Sequence, residues 1–281
     1  MKELETDTPI QWCPGCGNFG ILNAVLAVLR ELEQEGVSRE NIVLVSGIGN
    51  HAKIVDYLHV NSFYSIHGRT IPAAEAIKLA DPELKVICFA GDGDAYAEGL
   101  EHLIFAAKRN IDITAIIHDN RAYALATGQF TPTSPQHYKG TTTPCGAWEK
   151  PFNPLELMLA SGATFIARGY PVRGLHFQKL IKEAILHKGF SLVDTLQVCV
   201  TYNNLYGFYN KNVIELENTD LTSFEEAEQI IRGWDYNSEG PVAIGKFYQV
   251  ERPGYEDNFS RIASSKSDRD ILLAACLEKF I

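Results

Sequence analysis

Lys85-Val-Ile-Cys-Phe-Ala-Gly-Asp-Gly-Asp94 is the stretch on which the fold turns. An apolar run, Val86–Ala90, stops abruptly at Gly91-Asp92-Gly93-Asp94, the pattern of a buried strand entering a tight turn. A helical segment follows at about Ala97–Arg109, and then a second apolar strand, Ile113–His118, leading into Asp119-Asn120. Strand, glycine-rich turn, helix and strand make a βαβ unit, whose crossover sets the two strands parallel. Each strand then delivers an oxygen-bearing side chain, Asp92 or Asn120, to the carboxyl edge where open α/β sheets bind ligands. Gly91 and Gly93 let backbone amides approach phosphate oxygens, and the next helix offers its positive end. Hard oxygen donors beside such a turn suit a divalent cation carrying a diphosphate.

The same alternation extends in both directions. Phe19–Gly36 has helical spacing, with Asn18 available as N-cap and Gly36 as stop. Asn41–Ser46 reads as a buried strand ending in Gly47-Ile48-Gly49, and Pro72–Ala80 as a helix opened by proline. Asn120–Pro154 is rich in Thr, Pro and Gly without a period, and loops of that length inside compact domains are usually functional. Beyond it, helices are expected at Pro154–Ala160, Leu175–Lys188, Phe224–Trp234 and Asp268–Phe280. Strands are expected at Thr164–Ala167, Ser191–Val198 and Val242–Val250. No repeat, low-complexity linker or compositional break divides the chain, so a single α/β domain with a C-terminal extension is expected.

Composition narrows the function. The 281 residues are 46% hydrophobic and 21% charged, as in ordinary globular proteins. No apolar run is long enough to cross a bilayer, and the N-terminus lacks the basic and apolar regions of a signal peptide, so a cytoplasmic chain is expected. The formal charge of −10, from 35 acidic and 25 basic residues, argues against nucleic acid, which is bound by neutralising phosphates. An acidic protein partner would meet the same repulsion and need a local basic patch or another subunit.

Six cysteines in a chain of this class are not a disulfide framework. Cys88 and Cys276 lie in apolar runs and read as small core residues. Cys13 and Cys16, in Trp12-Cys-Pro-Gly-Cys-Gly17, stand at a helix N-terminus, which favours thiolates and an anionic cluster. Taken alone, the pair fits half of a zinc site, a redox dithiol or unligated thiols as well as a cluster. No second Cys-x-x-Cys completes a zinc site, and no thioredoxin-like strand precedes the pair.

From about Trp12 to Asn203, and again at Phe247–Pro253, the chain resembles the β subunits of the 2-oxoacid:ferredoxin oxidoreductases. The segments that carry the resemblance are Trp12–Gly17, Gly47-Ile48-Gly49, His67-Gly68-Arg69, Gly91–Asp94, Asn120–Gln129 and Gln197–Asn203. The compact length looks most like the enzymes that act on 2-oxoglutarate. The resemblance implies a three-layer thiamine-diphosphate-binding fold with a central, mostly parallel sheet. It would cover residues 1–281 as one domain, with the Cys-x-x-Cys segment at 1–18 and the extension from about 203. It implies that Asp92, Asn120 and the carbonyl of Ala122 hold Mg²⁺, and that His67, Gly91, Gly93 and Asp94 contact the diphosphate side of thiamine diphosphate. Apart from the resemblance, His67 reads equally as a satisfied, partly buried histidine.

Four cysteines hold a 4Fe–4S cluster in that family. Cys13, Cys16 and Cys199 match three, whereas the position of the fourth, after Gly47-Ile48-Gly49, is Asn50. An amide is a poor partner for iron that prefers thiolate. His51 could supply an imidazole, Cys145 could reach in from the long loop, or the cluster could be incomplete; a cluster with non-standard ligation is expected. For the substrate, the resemblance points to Lys53 and to Tyr123–Gln129, where Leu125 and Thr127 fall in the pocket segment. Thr127 replaces a lysine linked to the distal carboxylate of 2-oxoglutarate, and a neutral hydroxyl makes no charge-assisted bond there, leaving 2-oxoglutarate, pyruvate and branched 2-oxoacids open.

The implied activity is oxidative decarboxylation of a 2-oxoacid to acyl-coenzyme A and CO₂, with electrons passed to ferredoxin. A partner α subunit supplies the glutamate that activates the cofactor. Two readings compete: a non-redox thiamine-diphosphate decarboxylase or transferase subunit, suggested by Asn50, and a noncatalytic zinc-binding scaffold.

Overall fold

The computed structural model describes residues 3–260. Its strands are β1 (Ile42–Ser46), β2 (Asn61–Tyr64), β3 (Lys85–Gly91), β4 (Ile113–Asp119), β5 (Phe165–Gly169), β6 (Ser191–Leu196), β7 (Val213–Glu215) and β8 (Val242–Gln249). They form one eight-stranded sheet in the order β2-β1-β3-β4-β6-β5-β8-β7. Every pairing is parallel except β5 with β8. The helices are α1 (Asn18–Gln34), α2 (Thr70–Ala80), α3 (Leu100–Arg109), α4 (Pro154–Ala160), α5 (Gly174–Leu186), α6 (Tyr206–Asn212), α7 (Phe224–Arg232) and α8 (Asp257–Ser260).

The strand pleat separates two cores. Ile87 and Phe89 of β3 pack on one face with Ile21, Val25 and Leu29 of α1 and Phe177 and Ile181 of α5. Val86, Cys88 and Ala90, one residue out of phase, pack on the other face with Ala74 of α2 and Leu103, Ala106 and Ala107 of α3. This is the three-layer α/β arrangement expected, and it explains why the strands read as continuous apolar runs: both faces are covered. Cys88 is wholly buried, and burial pushes its thiol far up, as befits a core residue.

Most expected elements appear within one or two residues of their bounds, and residues 120–153 contain no helix or strand. Several differ. Asn18 caps nothing: Gly17 is the N-cap of α1, and Asn18, 2% exposed, turns its amide inward to His118. Pro72 is the third residue of α2, which opens at Thr70. The helix expected from Ala97 is preceded by a π-helical turn, Asp94–Glu98, and π turns recur at functional sites. β2 was hidden because Asn61–Tyr64 is an exposed edge strand without apolar alternation, and β7 and α6 were too short to announce themselves. The helix expected at 268–280, with Cys276, lies outside the described residues. Among the described residues, no helix is long and apolar enough to cross a membrane.

Candidate active site

The carboxyl ends of β1, β3 and β4 converge on a cavity of about 230 Å³. Its wall includes Gly91, Asp92, Gly93 and Asp94 after β3, Asn120 and Ala122 after β4, and His51 and His67 from the intervening loops. Asp92 and Asn120, the two residues expected to converge, both line it. Asp92 is 2% exposed, and its Oδ2 accepts hydrogen bonds from Thr131 Oγ1 at 2.5 Å and Thr133 Oγ1 at 3.0 Å. Burial pushes its carboxyl up to about 6, although both hydroxyls favour the charged form.

The turn after β4 is built from its own side chains. Asp119 Oδ1 accepts the N–H of Arg121 at 3.1 Å, and Asn120 Oδ1 accepts that of Ala122 at 3.0 Å. Arg121 has φ of 61°, in the left-handed region that a non-glycine residue occupies only when its surroundings enforce it. The enforcement is visible: its guanidinium donates to the carbonyls of Thr133 and Tyr236 and lies over the Trp234 and Tyr236 rings. Arg121 therefore pins the turn carrying Asn120 and Ala122 to the long loop and to the segment around Trp234 and Tyr236.

Asp119, expected only as a neighbour of Asn120, is itself part of the acidic centre. It is fully buried, and one Thr133 hydroxyl stands 2.8 Å from its Oδ1 while also reaching Asp92. A single hydroxyl proton cannot satisfy two carboxylates at once. Asp119 Oδ2 has no partner, and burial, then the charges of Asp194 and Asp92, push this carboxyl well above its ordinary range. The Arg121 charge offsets this only in part, so two buried acids with one unpartnered oxygen leave a site that a divalent cation or a proton would suit.

At the other wall, Asp94 Oδ1 accepts the N–H of Gly68 at 2.6 Å and stands 3.6 Å from His67 Nδ1. Its Oδ2, without a hydrogen-bond partner, lies 3.5 Å from His51 Nε2. A Cβ on Gly47 would overlap the Asp94 carboxylate, and one on Gly93 would overlap the Tyr123 ring. These two glycines are therefore required by close approach. Leu125, 60% exposed, lines the cavity mouth, whereas Lys53 and Thr127 are absent from its wall. Thr127 instead turns its hydroxyl to the Ala126 carbonyl at 2.7 Å.

A second cavity of about 110 Å³ adjoins the first, and Asn50, Asn120 and Ala124 line both. Cys13, Cys16 and Cys199 all face it. Gln197 Nε2 donates to Cys16 Sγ at 3.5 Å, and Thr201 Oγ1 to Cys13 Sγ at 3.6 Å. Of the proposed fourth ligands, Asn50 lines this cavity, His51 lines the other, and Cys145 is exposed and lines neither. Among the described residues, no three His, Cys, Asp or Glu side chains are arranged to hold one metal ion.

The missed residues, Asp119, Arg121, Thr131 and Thr133, carried a faint signal. Asp119 abuts Asn120, and Thr131-Pro-Thr-Ser134 concentrates hydroxyls in a loop already marked as functional.

Comparison with known proteins agrees with this geometry. The sequence pattern of the thiamine pyrophosphate enzyme C-terminal TPP-binding domain matches residues 47–195, and that of the C-terminal region of the pyruvate ferredoxin oxidoreductase β subunit matches 199–264. The 2-oxoacid:ferredoxin oxidoreductase subunit beta of Saccharolobus solfataricus is 38% identical, over 85% of this chain and 82% of that one. The 2-oxoglutarate synthase subunit KorB of Methanothermobacter marburgensis is 36% identical, over 98% and 96%. A solved structure, 2-oxoglutarate:ferredoxin oxidoreductase from Magnetococcus marinus with 2-oxoglutarate, coenzyme A and succinyl-CoA bound, superposes with a TM-score of 0.87 at 31% identity, covering 98% of this chain and 96% of that one.

Proposed function

We infer function from one premise: the chain belongs to the β subunits of the 2-oxoacid:ferredoxin oxidoreductases. It is the thiamine-diphosphate-binding subunit of an enzyme that, with an α subunit, oxidatively decarboxylates a 2-oxoacid to acyl-coenzyme A and CO₂ and passes the electrons to ferredoxin. The relatives named above are redox enzymes, which disfavours the non-redox and zinc-scaffold alternatives.

One observation carries the reading. Asp92 and Asn120, from neighbouring parallel strands, line a single cavity, and burial there raises the Asp92 carboxyl as expected of a site awaiting a cation. The residues fit the absent groups: Asp92, Asn120 and the Ala122 carbonyl would hold Mg²⁺, with His67, Gly91, Gly93 and Asp94 around the diphosphate. When bound, thiamine diphosphate supplies the electron sink for decarboxylation. The chain's own residues do the rest. Arg121 holds the ligand-bearing turn, Thr131 and Thr133 orient the Asp92 carboxylate, and Gly93 lets Tyr123 close against the β3 turn. Cys13, Cys16 and Cys199 hold an iron–sulfur cluster one cavity away, an arrangement suited to electron transfer.

The α subunit docks at the cavity mouth. Ile48 and Leu125 on its wall are 42% and 60% exposed, and Phe63, Tyr64 and Ile66 on and after the open edge strand are 51%, 43% and 72% exposed. Exposed apolar side chains of this kind, near a cofactor site and on an open edge strand, suit an interface. The activity and acyl preference are read with the co-purified complex, assayed anaerobically with pyruvate, 2-oxoglutarate and branched 2-oxoacids. Calorimetric titration with thiamine diphosphate and Mg²⁺ tests the site: wild type binds, and Asp92→Ala loses at least about 100-fold in affinity together with turnover. Normal binding by Asp92→Ala defeats the assignment.

A further inference from the structure

We propose that the cluster of this chain is held by three cysteines and carries one iron, at Asn50, that no protein thiolate binds and that exchanges with solution. This rests on the reading above that Cys13, Cys16 and Cys199 hold a four-iron cluster. The three sulfurs and Asn50 line one cavity. The other side chains that could complete a four-ligand set stand outside that cavity. His51 is 7% exposed, stands 3.5 Å from Asp94, and has its ring 5.6 Å from that of His118. It is also wedged against the β3 turn, its Nδ1 3.0 Å from where a Cβ on Gly91 would sit. Rotating it into the cysteine cavity would undo that packing. Cys145 is exposed and lines neither cavity.

Asn50 itself is held in place. Its carbonyl accepts the Trp12 indole N–H at 2.7 Å, and Trp12 is clamped edge-on by Phe19 and Tyr57 at 5.5 and 4.9 Å. The same contact ties the Cys13–Cys16 turn to the backbone of the Asn50 loop and fixes where position 50 stands. A neutral amide oxygen is a weak partner for cluster iron, which leaves that corner to water or hydroxide. Because Asn50 also lines the cofactor cavity, the exchangeable iron is the one facing the cofactor.

The chemical consequence is specific. One-electron oxidation by ferricyanide takes [4Fe–4S]²⁺ to [4Fe–4S]³⁺, and the unanchored corner leaves as Fe²⁺. The remainder is [3Fe–4S]⁺ on three thiolates, while ferricyanide becomes ferrocyanide. Reduction with added Fe²⁺ reverses the loss.

The test uses the anaerobically purified α–β complex, oxidised with a slight excess of ferricyanide and read by electron paramagnetic resonance and iron analysis. We expect the signal of an oxidised three-iron cluster and release of about one iron in four from this site. Dithionite with ⁵⁷Fe²⁺ then restores the four-iron form, with label in a single Mössbauer environment. Asn50→Cys suppresses both the signal and the iron loss, whereas His51→Ala preserves them. If wild type keeps its iron and gives no three-iron signal, the fourth iron is firmly held and this inference fails while the cluster assignment stands. Loss of the cluster in His51→Ala identifies a histidine ligand and also overturns it. Absence of any iron–sulfur spectrum after anaerobic reconstitution overturns both readings.

Discussion

Asp119 and Asp194 lie on adjacent parallel strands, both wholly buried, and their surroundings differ. Asp194 is saturated: it accepts from Tyr96 at 2.9 Å, Tyr236 at 2.6 Å and Arg168 at 3.3 Å. Arg168 is itself stacked on Trp234 and Tyr236, with ring centroids at 4.8 and 5.1 Å. Asp119 accepts hydrogen bonds from neutral donors, has two carboxylate neighbours and an oxygen with no partner, and the Arg121 charge offsets these only in part. A buried acid that brings its own cation belongs to the architecture. A buried acid pair to which no guanidinium is hydrogen-bonded is prepared for a ligand, and its unfavourable free energy becomes binding energy when the cation arrives.

The largest effect that could break this contrast is on folding. Asp194→Ala leaves the Arg168 guanidinium buried and unpaired, and should cost about 3–5 kcal/mol in denaturant unfolding. Asp119→Asn, one strand away, should cost the metal-free protein nothing while weakening Mg²⁺-diphosphate binding. Equal destabilisation by the two would erase the distinction.

Next in size is a pH effect. The folded-state pKa of Asp92 lies above that of an unfolded carboxylate, so its contribution favours the fold at low pH and is lost as pH rises through about 6. In EDTA, the stability of wild type relative to Asp92→Asn should fall between about pH 4 and pH 7, by an amount on the order of 3 kcal/mol. Mg²⁺-diphosphate displaces the proton, so affinity weakens below about pH 6. Calorimetry in buffers of different ionisation enthalpy should detect proton release on binding near that pH; its absence would mean the pair is already ionised.

The smallest effect sharpens the comparison. Thr133→Val keeps the shape but removes the hydroxyl between Asp92 and Asp119, and should cost about 1 kcal/mol. Its effect on Mg²⁺-diphosphate affinity should be greater than on stability, roughly 10-fold or more, because the lost donor orients a ligand. An affinity unchanged by Thr133→Val would assign the hydroxyl to packing alone.

Legibility followed the range of the interaction. Gly91-Asp92-Gly93 and Asn120 could be read because strand, turn and helix signals are local, and a βαβ crossover brings the ends of two strands together by rule. Asn18 was misread as a cap for the same reason: local pattern favours a cap, but a buried imidazole 100 positions away claimed the amide. Arg121 looked like a charged loop residue, since nothing near it in sequence foretells the Trp234 and Tyr236 rings or the two carbonyls that bind it.

Sequence alone therefore determined the layered α/β class, the two strand ends that meet, and the presence of three cysteines with an asparagine in place of a fourth. Periodicity and turn chemistry act over a few residues, and composition is independent of folding. Tertiary structure alone decided that Asp119 joins Asp92 around one threonine hydroxyl, that Arg168 closes off Asp194, and that His51 lines the cofactor cavity alone while Asn50 lines that cavity and the cysteine cavity. Those outcomes depend on which distant groups share a buried volume, where every unpaired charge or donor is costly, and no local pattern carries that information.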